Sequence, residues 1–234
     1  MHWIKSLLLR FSAHPAIPHY VILFGLTGGL ASGKSAVAAR LRACGLPVLD
    51  ADQLARDVVA KGTEGLRAVV AAFGEDVLTP DGALDRPKMA KLVFADAEKR
   101  KLLNGILHPR IGALTQERAR ALAEQGEPLA CYEAALLVEN RLADAFRPLV
   151  VVAASPSLQL ARAMARDGEA EEQVKGRLAA QMPLEAKMAV ADYVIQNDGP
   201  LEELERETDR VLSSICARVG VDAARYGLSG RLED

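Results

Sequence analysis

The sequence predicts an α/β fold in which five short parallel strands carry helices on both faces of one sheet. Three observations lead there. Short apolar, β-rich runs recur along the chain, long helix-patterned stretches separate them, and a glycine-rich loop stands between the first run and the first helix. Parallel strands need long crossovers and are buried on both faces, so they read as continuous apolar runs rather than alternating ones.

The first run is Tyr20 to Leu26 (YVILFGL). Ser35 to Cys44 follows as a helix, with Val37, Leu41 and Cys44 at helical spacing and Gly45 as its stop. Leu46 to Leu49 reads as the second strand, Leu129 to Glu133 as the third, Leu149 to Ala153 as the fourth and Tyr193 to Gln196 as the fifth. Between the second and third strands lies a largely helical insertion over 53–128, broken by Gly74, Pro80-Asp81-Gly82 and Pro109; a simple crossover needs far fewer residues. Pro156 to Met182 is a charged helical stretch. Leu201 to Val219 is an amphipathic helix whose apolar face includes Leu204, Val211, Leu212 and Ile215, as packing on the sheet requires.

Composition narrows the class. The chain has 234 residues, 50% of them hydrophobic, enough for a core domain with insertions. Lys and Arg number 29 against 31 Asp and Glu, for a formal net charge of -2, so no general basic surface points to a nucleic-acid partner. No apolar run approaches the roughly 20 residues that cross a bilayer. Cys44, Cys131 and Cys216 are scattered and form no CxxC pair, which fits a reducing cytoplasm. Residues 1–19 lack the apolar core of a secretory signal and read as an N-terminal extension.

Gly28-Gly29-Leu30-Ala31-Ser32-Gly33-Lys34-Ser35 satisfies GxxxxGKS, directly after a strand and at the start of a helix. The fold is therefore of the P-loop NTPase type. In such a loop, backbone N–H groups through Ala36 and the helix N-terminus cradle phosphates; Lys34 neutralises the β- and γ-phosphates and the Ser35 hydroxyl ligates Mg2+. The motif implies ATP with Mg2+ but leaves the acceptor open, since kinases, GTPases and motor ATPases share it. No Asn-Lys pair exists for a GTPase base-recognition segment.

Asp50-Ala51-Asp52 ends the second strand at the sheet's carboxyl edge, where open α/β folds place ligands. Asp50 reads as a helix N-cap with Gln53 as its capping-box partner. Asp52 is the candidate base for an acceptor hydroxyl, the competing role being a first-turn carboxylate favoured by the helix dipole. Glu133, at the end of the third strand, either holds Mg2+ through water or pairs with a basic side chain. Arg162 and Arg166, four apart on one helix face, with Arg177 nearby, suit a lid over the γ-phosphate; a solvated charged face is the plainer alternative.

GLTGGLASGKS (25–35) followed by PVLDADQLAR (47–56) resembles the dephospho-CoA kinase family. The similarity continues through FGEDVLTPDGALDR (73–86), LNGILHP (103–109), ALLVEN (135–140), RAMARD (162–167), RLAAQ (177–181) and ADYVIQNDG (191–199). The resemblance implies ATP on the loop, 3′-dephospho-CoA as the small-molecule acceptor, Asp52 acting on its ribose 3′-hydroxyl, Arg86 and His108 as acceptor contacts, and Asn197 near the adenine. For His108 a packed histidine rigidified by Pro109 is the alternative, and for Arg86 a solvated residue or an ion pair. It also implies the domain plan: a kinase domain over 20–220 with core 20–52, 129–155 and 183–220, acceptor-binding insertion 53–128, lid 156–182, and a tail over 221–234. Ala31 stands where the family commonly has glycine, Ala36 where it has threonine, and Ala135 where it has proline. Another small-molecule or nucleotide kinase, or an ATP-dependent regulatory module, would share the loop but have less use for this insertion or for Asp52.

Overall fold

The computed structural model describes residues 20–228; the expected extension over 1–19 and the end of the tail from 229 lie outside them. In chain order the elements are β1 (Ile22–Gly28), α1 (Lys34–Ala43), β2 (Val48–Asp50), α2 (Ala51–Val58), α3 (Glu64–Phe73), α4 (Arg86–Ala95), α5 (Ala97–Glu124), β3 (Leu129–Glu133), β4 (Leu149–Ala153), α6 (Pro156–Asp167), α7 (Glu171–Ala179), α8 (Leu184–Met188), β5 (Tyr193–Gln196) and α9 (Leu201–Val219). They form two compact units, one made of the chain up to Val48 and from Leu122 onward, the other of Leu49–Ala121.

The sheet has the order β2-β3-β1-β4-β5. β1 runs parallel to both β3 and β4, and β4 parallel to β5. Its register pairs Leu26 with Glu133, Gly28 with Val152 and Ala153 with Gln196, so the carboxyl ends of these strands share one edge with the glycine-rich loop at its centre. Every residue of β3 and β4 is buried, as expected of strands covered on both faces. On one face Phe24, Leu26, Cys131, Val150 and Ile195 meet Val37 and Leu41 of α1 and Val211, Leu212 and Ile215 of α9. At about 1.5–3 kcal/mol per buried large apolar side chain, this cluster dominates the stability of the unit. Tyr226 and Leu228 join it, so the stretch from 221 to 228, expected as part of a tail, closes the core instead.

The Leu49–Ala121 unit packs Val58, Val59, Val69, Val77 and Met89 against apolar residues of α5. Thr63 caps α3 and Asp85 caps α4, each accepting a backbone N–H two or three residues into its helix. Pro109 does not break this region as expected: α5 continues through it from Ala97 to Glu124. Proline removes only its own donation to the Gly105 carbonyl, and the Arg110 guanidinium donates to the neighbouring Ile106 carbonyl at 2.8 Å. The helical stretch over 156–182 holds α6 and α7, parted at Gly168, which adopts φ 67 as the C-cap of α6.

Candidate active site

The loop is built from its backbone outward. A Cβ at Gly28 would lie 2.5 Å from Ser32 Oγ and 2.7 Å from the Val152 carbonyl oxygen, so only glycine fits there. Gly33 has φ 98, and a Cβ on it would meet Asn197 Nδ2 at 2.0 Å. That amide donates to the Ser32 carbonyl at 2.8 Å, while Gln181 Oε1 accepts from the Leu30 N–H at 3.0 Å. α1 then starts with no side-chain cap and no acidic residue in its first turn, leaving its leading N–H groups and positive dipole end available to an anion. Ala31 sits at φ 53, in the left-handed region, which explains why a glycine would suit the position.

Charge is held tightly beside it. Lys34 Nζ donates to Glu133 Oε1 at 2.6 Å, and Arg42 Nη2 reaches Glu133 Oε2 at 3.3 Å. Glu133 is only 4% exposed, so both of its oxygens meet a cation away from bulk water. Ser35 is exposed on the first turn of α1. A hydroxyl and a carboxylate are hard oxygen donors, a set that suits a magnesium ion retaining waters and phosphate oxygens as its other ligands.

In the Leu49–Ala121 unit, Asp50 caps α2, accepting from the N–H groups of Asp52 at 2.8 Å and Gln53 at 3.2 Å. The expected capping box is incomplete: the Gln53 side chain donates to Asp57 at 2.8 Å instead of turning back to Asp50. Asp52 is exposed on the first turn of α2, and among the described residues its carboxylate has no hydrogen-bond or ion-pair partner. Arg86 is exposed at the start of α4. His108 is exposed on α5, so the packed histidine held open as its alternative does not occur.

The three arginines do not all share one partner. Arg162 donates to the Asn197 carbonyl at 3.0 Å. Arg166 grips Asp167 with two bonds of 2.7 and 2.9 Å, and Arg177 joins the same carboxylate at 2.7 Å and Glu169 at 2.8 Å. Hydrogen bonds from Arg166 and then Arg177 hold the Asp167 carboxyl far below its usual pKa. Asn197, expected near the adenine, is 6% exposed and has its side chain committed to the loop.

Sequence reasoning passed over several supporting residues. Gln159, 5% exposed, packs its unpartnered Nε2 over Gly29. It lines a cavity of about 330 Å³ between Gly29, Leu30, the ends of β4 and β5, and the α6–α8 stretch. Lys187 is wholly buried. Asp192 accepts from Arg147 and from the Leu149 N–H, both at 2.8 Å, and pairs with Arg218 at 2.9 Å. Burial pushes its pKa up, but the Leu149 N–H and the two arginines prevail and hold it below the usual carboxylate range.

Comparisons with known proteins converge on one group. The chain is 47% identical over 194 residues to the dephospho-CoA kinase of Streptomyces avermitilis, covering 83% of this chain and 94% of that one. The Arabidopsis thaliana dephospho-CoA kinase is 44% identical over 193 residues, 82% of this chain and 83% of its own. Among solved structures, one from Thermus thermophilus superposes with a TM-score of 0.71 at 37% identity, over 85% of this chain and 98% of the other. Dephospho-CoA kinase from Campylobacter jejuni superposes at 0.57 with 26% identity, over 82% and 96%. The family model described as dephospho-CoA kinase matches residues 22–203, from the first residue of β1 into α9, and this chain belongs to that family.

Proposed function

We propose that this chain transfers the γ-phosphoryl group of ATP to the ribose 3′-hydroxyl of 3′-dephospho-CoA, giving coenzyme A and ADP. The observation that carries the reading is the family match across 22–203, which includes the glycine-rich loop and the uncapped start of α1. Phosphoryl transfer asks mainly for positioning and charge stabilisation, and the loop supplies both. The loop over 28–36 wraps the phosphates of ATP, which meet the leading N–H groups of α1; the Leu30 N–H joins them only by leaving Gln181 Oε1. Lys34 leaves Glu133 for the β- and γ-phosphates as they arrive. The cavity beside Gly29 and Leu30 gives the rest of the nucleotide room next to the loop.

Asp52 takes the proton of the acceptor hydroxyl and orients its oxygen in line with the γ-phosphorus; its exposed, unpartnered carboxylate supports that role. Magnesium, when bound, would be held by the Ser35 hydroxyl, with Glu133 reaching it through water, and would neutralise charge on the phosphates. Arg86 and His108, both exposed in the Leu49–Ala121 unit, are the proposed acceptor contacts. The stretch 156–182 is the proposed lid, in which Arg162, Arg166 or Arg177 exchanges its present partner for the γ-phosphate. Among the described residues no helix is long and apolar enough to cross a membrane. We place the reaction in the cytoplasm.

The test is ATP consumption by the full chain with and without dephospho-CoA, with the product identified by mass. Phosphate transfer that requires the acceptor and yields coenzyme A supports the reading. Acceptor-independent hydrolysis would favour a regulatory ATPase, and a preference for another alcohol would favour a different small-molecule kinase.

A further inference from the structure

Lys187 of α8 is 0% exposed, an unusual place for an ammonium. Taking that charge out of water costs several kcal/mol, and an apolar side chain of similar length would fill the space without the cost. The partners show where the charge is used. Nζ lies 2.7 Å from Glu139 Oε1, 3.2 Å from the Ala135 carbonyl and 3.4 Å from the Gly28 carbonyl. The Glu139 contact is close but off the direction of a hydrogen bond, and both Glu139 oxygens are buried without such a bond, so charge balance is what Glu139 contributes. Thr27 Oγ1 donates to the same Ala135 carbonyl at 3.0 Å.

These contacts meet at the root of the phosphate loop. Gly28 ends β1 and opens the loop, Ala135 and Glu139 follow β3, and α8 follows the arginine-bearing stretch. The Gly28 carbonyl and the Gly29 N–H belong to one planar trans peptide and point in opposite directions. Holding the carbonyl from behind therefore fixes the direction of the N–H that begins the loop. With no exposure, the ammonium itself has no path to substrate.

We propose that Lys187 is a positioning residue for the phosphate loop: its buried ammonium, balanced by Glu139, holds the Gly28 carbonyl and so sets the loop backbone for phosphate. The inference rests on the kinase reading given above and adds to it a residue that never touches ATP.

The variant to make is Lys187→Met with Glu139→Leu, which removes both charges and keeps apolar volume, a replacement that buried ion pairs often tolerate. The expected result is a folded protein whose KM for ATP and equilibrium ATP dissociation constant rise roughly 10- to 100-fold, the scale on which outer-shell partners act. KM for dephospho-CoA stays near wild type. A folded double variant with wild-type ATP affinity overturns the proposal, because packing alone would then explain the lysine. If it does not fold, Lys187→Gln with Glu139→Gln carries the same comparison, and loss of folding in both assigns the pair to the fold rather than to the loop. Wild-type enzyme assayed alongside separates the two ideas: failure to phosphorylate dephospho-CoA rejects the kinase reading, while ATP binding by the variants still decides the role of Lys187.

Discussion

The Lys34 ammonium lies 2.6 Å from Glu133 Oε1, so the cation proposed to meet phosphate is already engaged by a buried carboxylate that Arg42 shares. From sequence alone, the charge of Lys34 is expected to be needed chiefly when phosphates are present. The pairing adds a structural role. Lys34→Met should lower turnover by at least about 10²-fold, as loss of a transition-state charge contact does. It should also cost about 1–3 kcal/mol in urea unfolding, since Glu133 keeps only Arg42. Unchanged turnover would refute the loop's role, and unchanged stability would refute the structural one.

Asp52→Asn should bind ATP almost as wild type does and lose roughly 10²- to 10⁴-fold in turnover, because an amide can orient the acceptor hydroxyl but cannot take its proton. Its exposed position predicts no stability change beyond about 0.5 kcal/mol. Weakened ATP binding with normal turnover per bound complex would remove Asp52 from the base role.

Arg166 and Arg177 each hold Asp167, so the proposed closure of 156–182 would trade one set of charge-assisted bonds for another. Hydrogen exchange in this stretch should slow when a non-hydrolysable ATP analogue and dephospho-CoA are added together, and slow more than in β3. Equal protection with and without ligands would make α6 and α7 fixed elements whose arginines serve only Asp167 and Glu169.

Asp192 offers a pH test. Its folded pKa lies below the unfolded value, so folding binds fewer protons there and the contribution to stability is full above the unfolded value of about 3.9. It disappears as pH falls through the lower, folded value. Asp192→Asn should therefore be about 1.5–3 kcal/mol less stable than wild type at pH 7. Urea titrations should show that gap steady from pH 7 to 5 and closing below about pH 4. A gap independent of pH would mean that shape, not charge, is what Arg147, Arg218 and Leu149 require.

Much of this was legible in the chain itself. The ranges of β3, β4, β5 and α9 agree with expectation at both ends, because continuous apolar runs and turn residues bound them sharply. β1 lies two residues further along than its apolar run, Ile22–Gly28 rather than Tyr20 to Leu26, because pairing with Val152 keeps Gly28 extended; no local preference signals that. Pro109 misled because a proline within a long helix costs one bond, and the packing of Ile106, Leu107 and Ile111 outweighs it. In the site, GxxxxGKS located the phosphate loop, but its supports are scattered. Asn197 and Gln181 lie 165 and 151 residues from their loop partners, and nothing near Lys187 marks it as buried. Spatial convergence of that kind leaves no spacing to read.

The discontinuous unit also bears on how the protein is made. Thr27 waits for a partner 108 residues later, and Arg40 of α1 for Asp209 of α9, 169 residues later. The Leu49–Ala121 unit is continuous and has its own core, so its contacts are complete while the ribosome is still working. At roughly 5–20 residues per second, the apolar faces of β1 and α1 remain uncovered for about ten seconds or more after they emerge. Phe24, Leu26 and Leu41 stay without their partners on α9 throughout that time, and the unit that carries the glycine-rich loop closes its core only once α9 has been made.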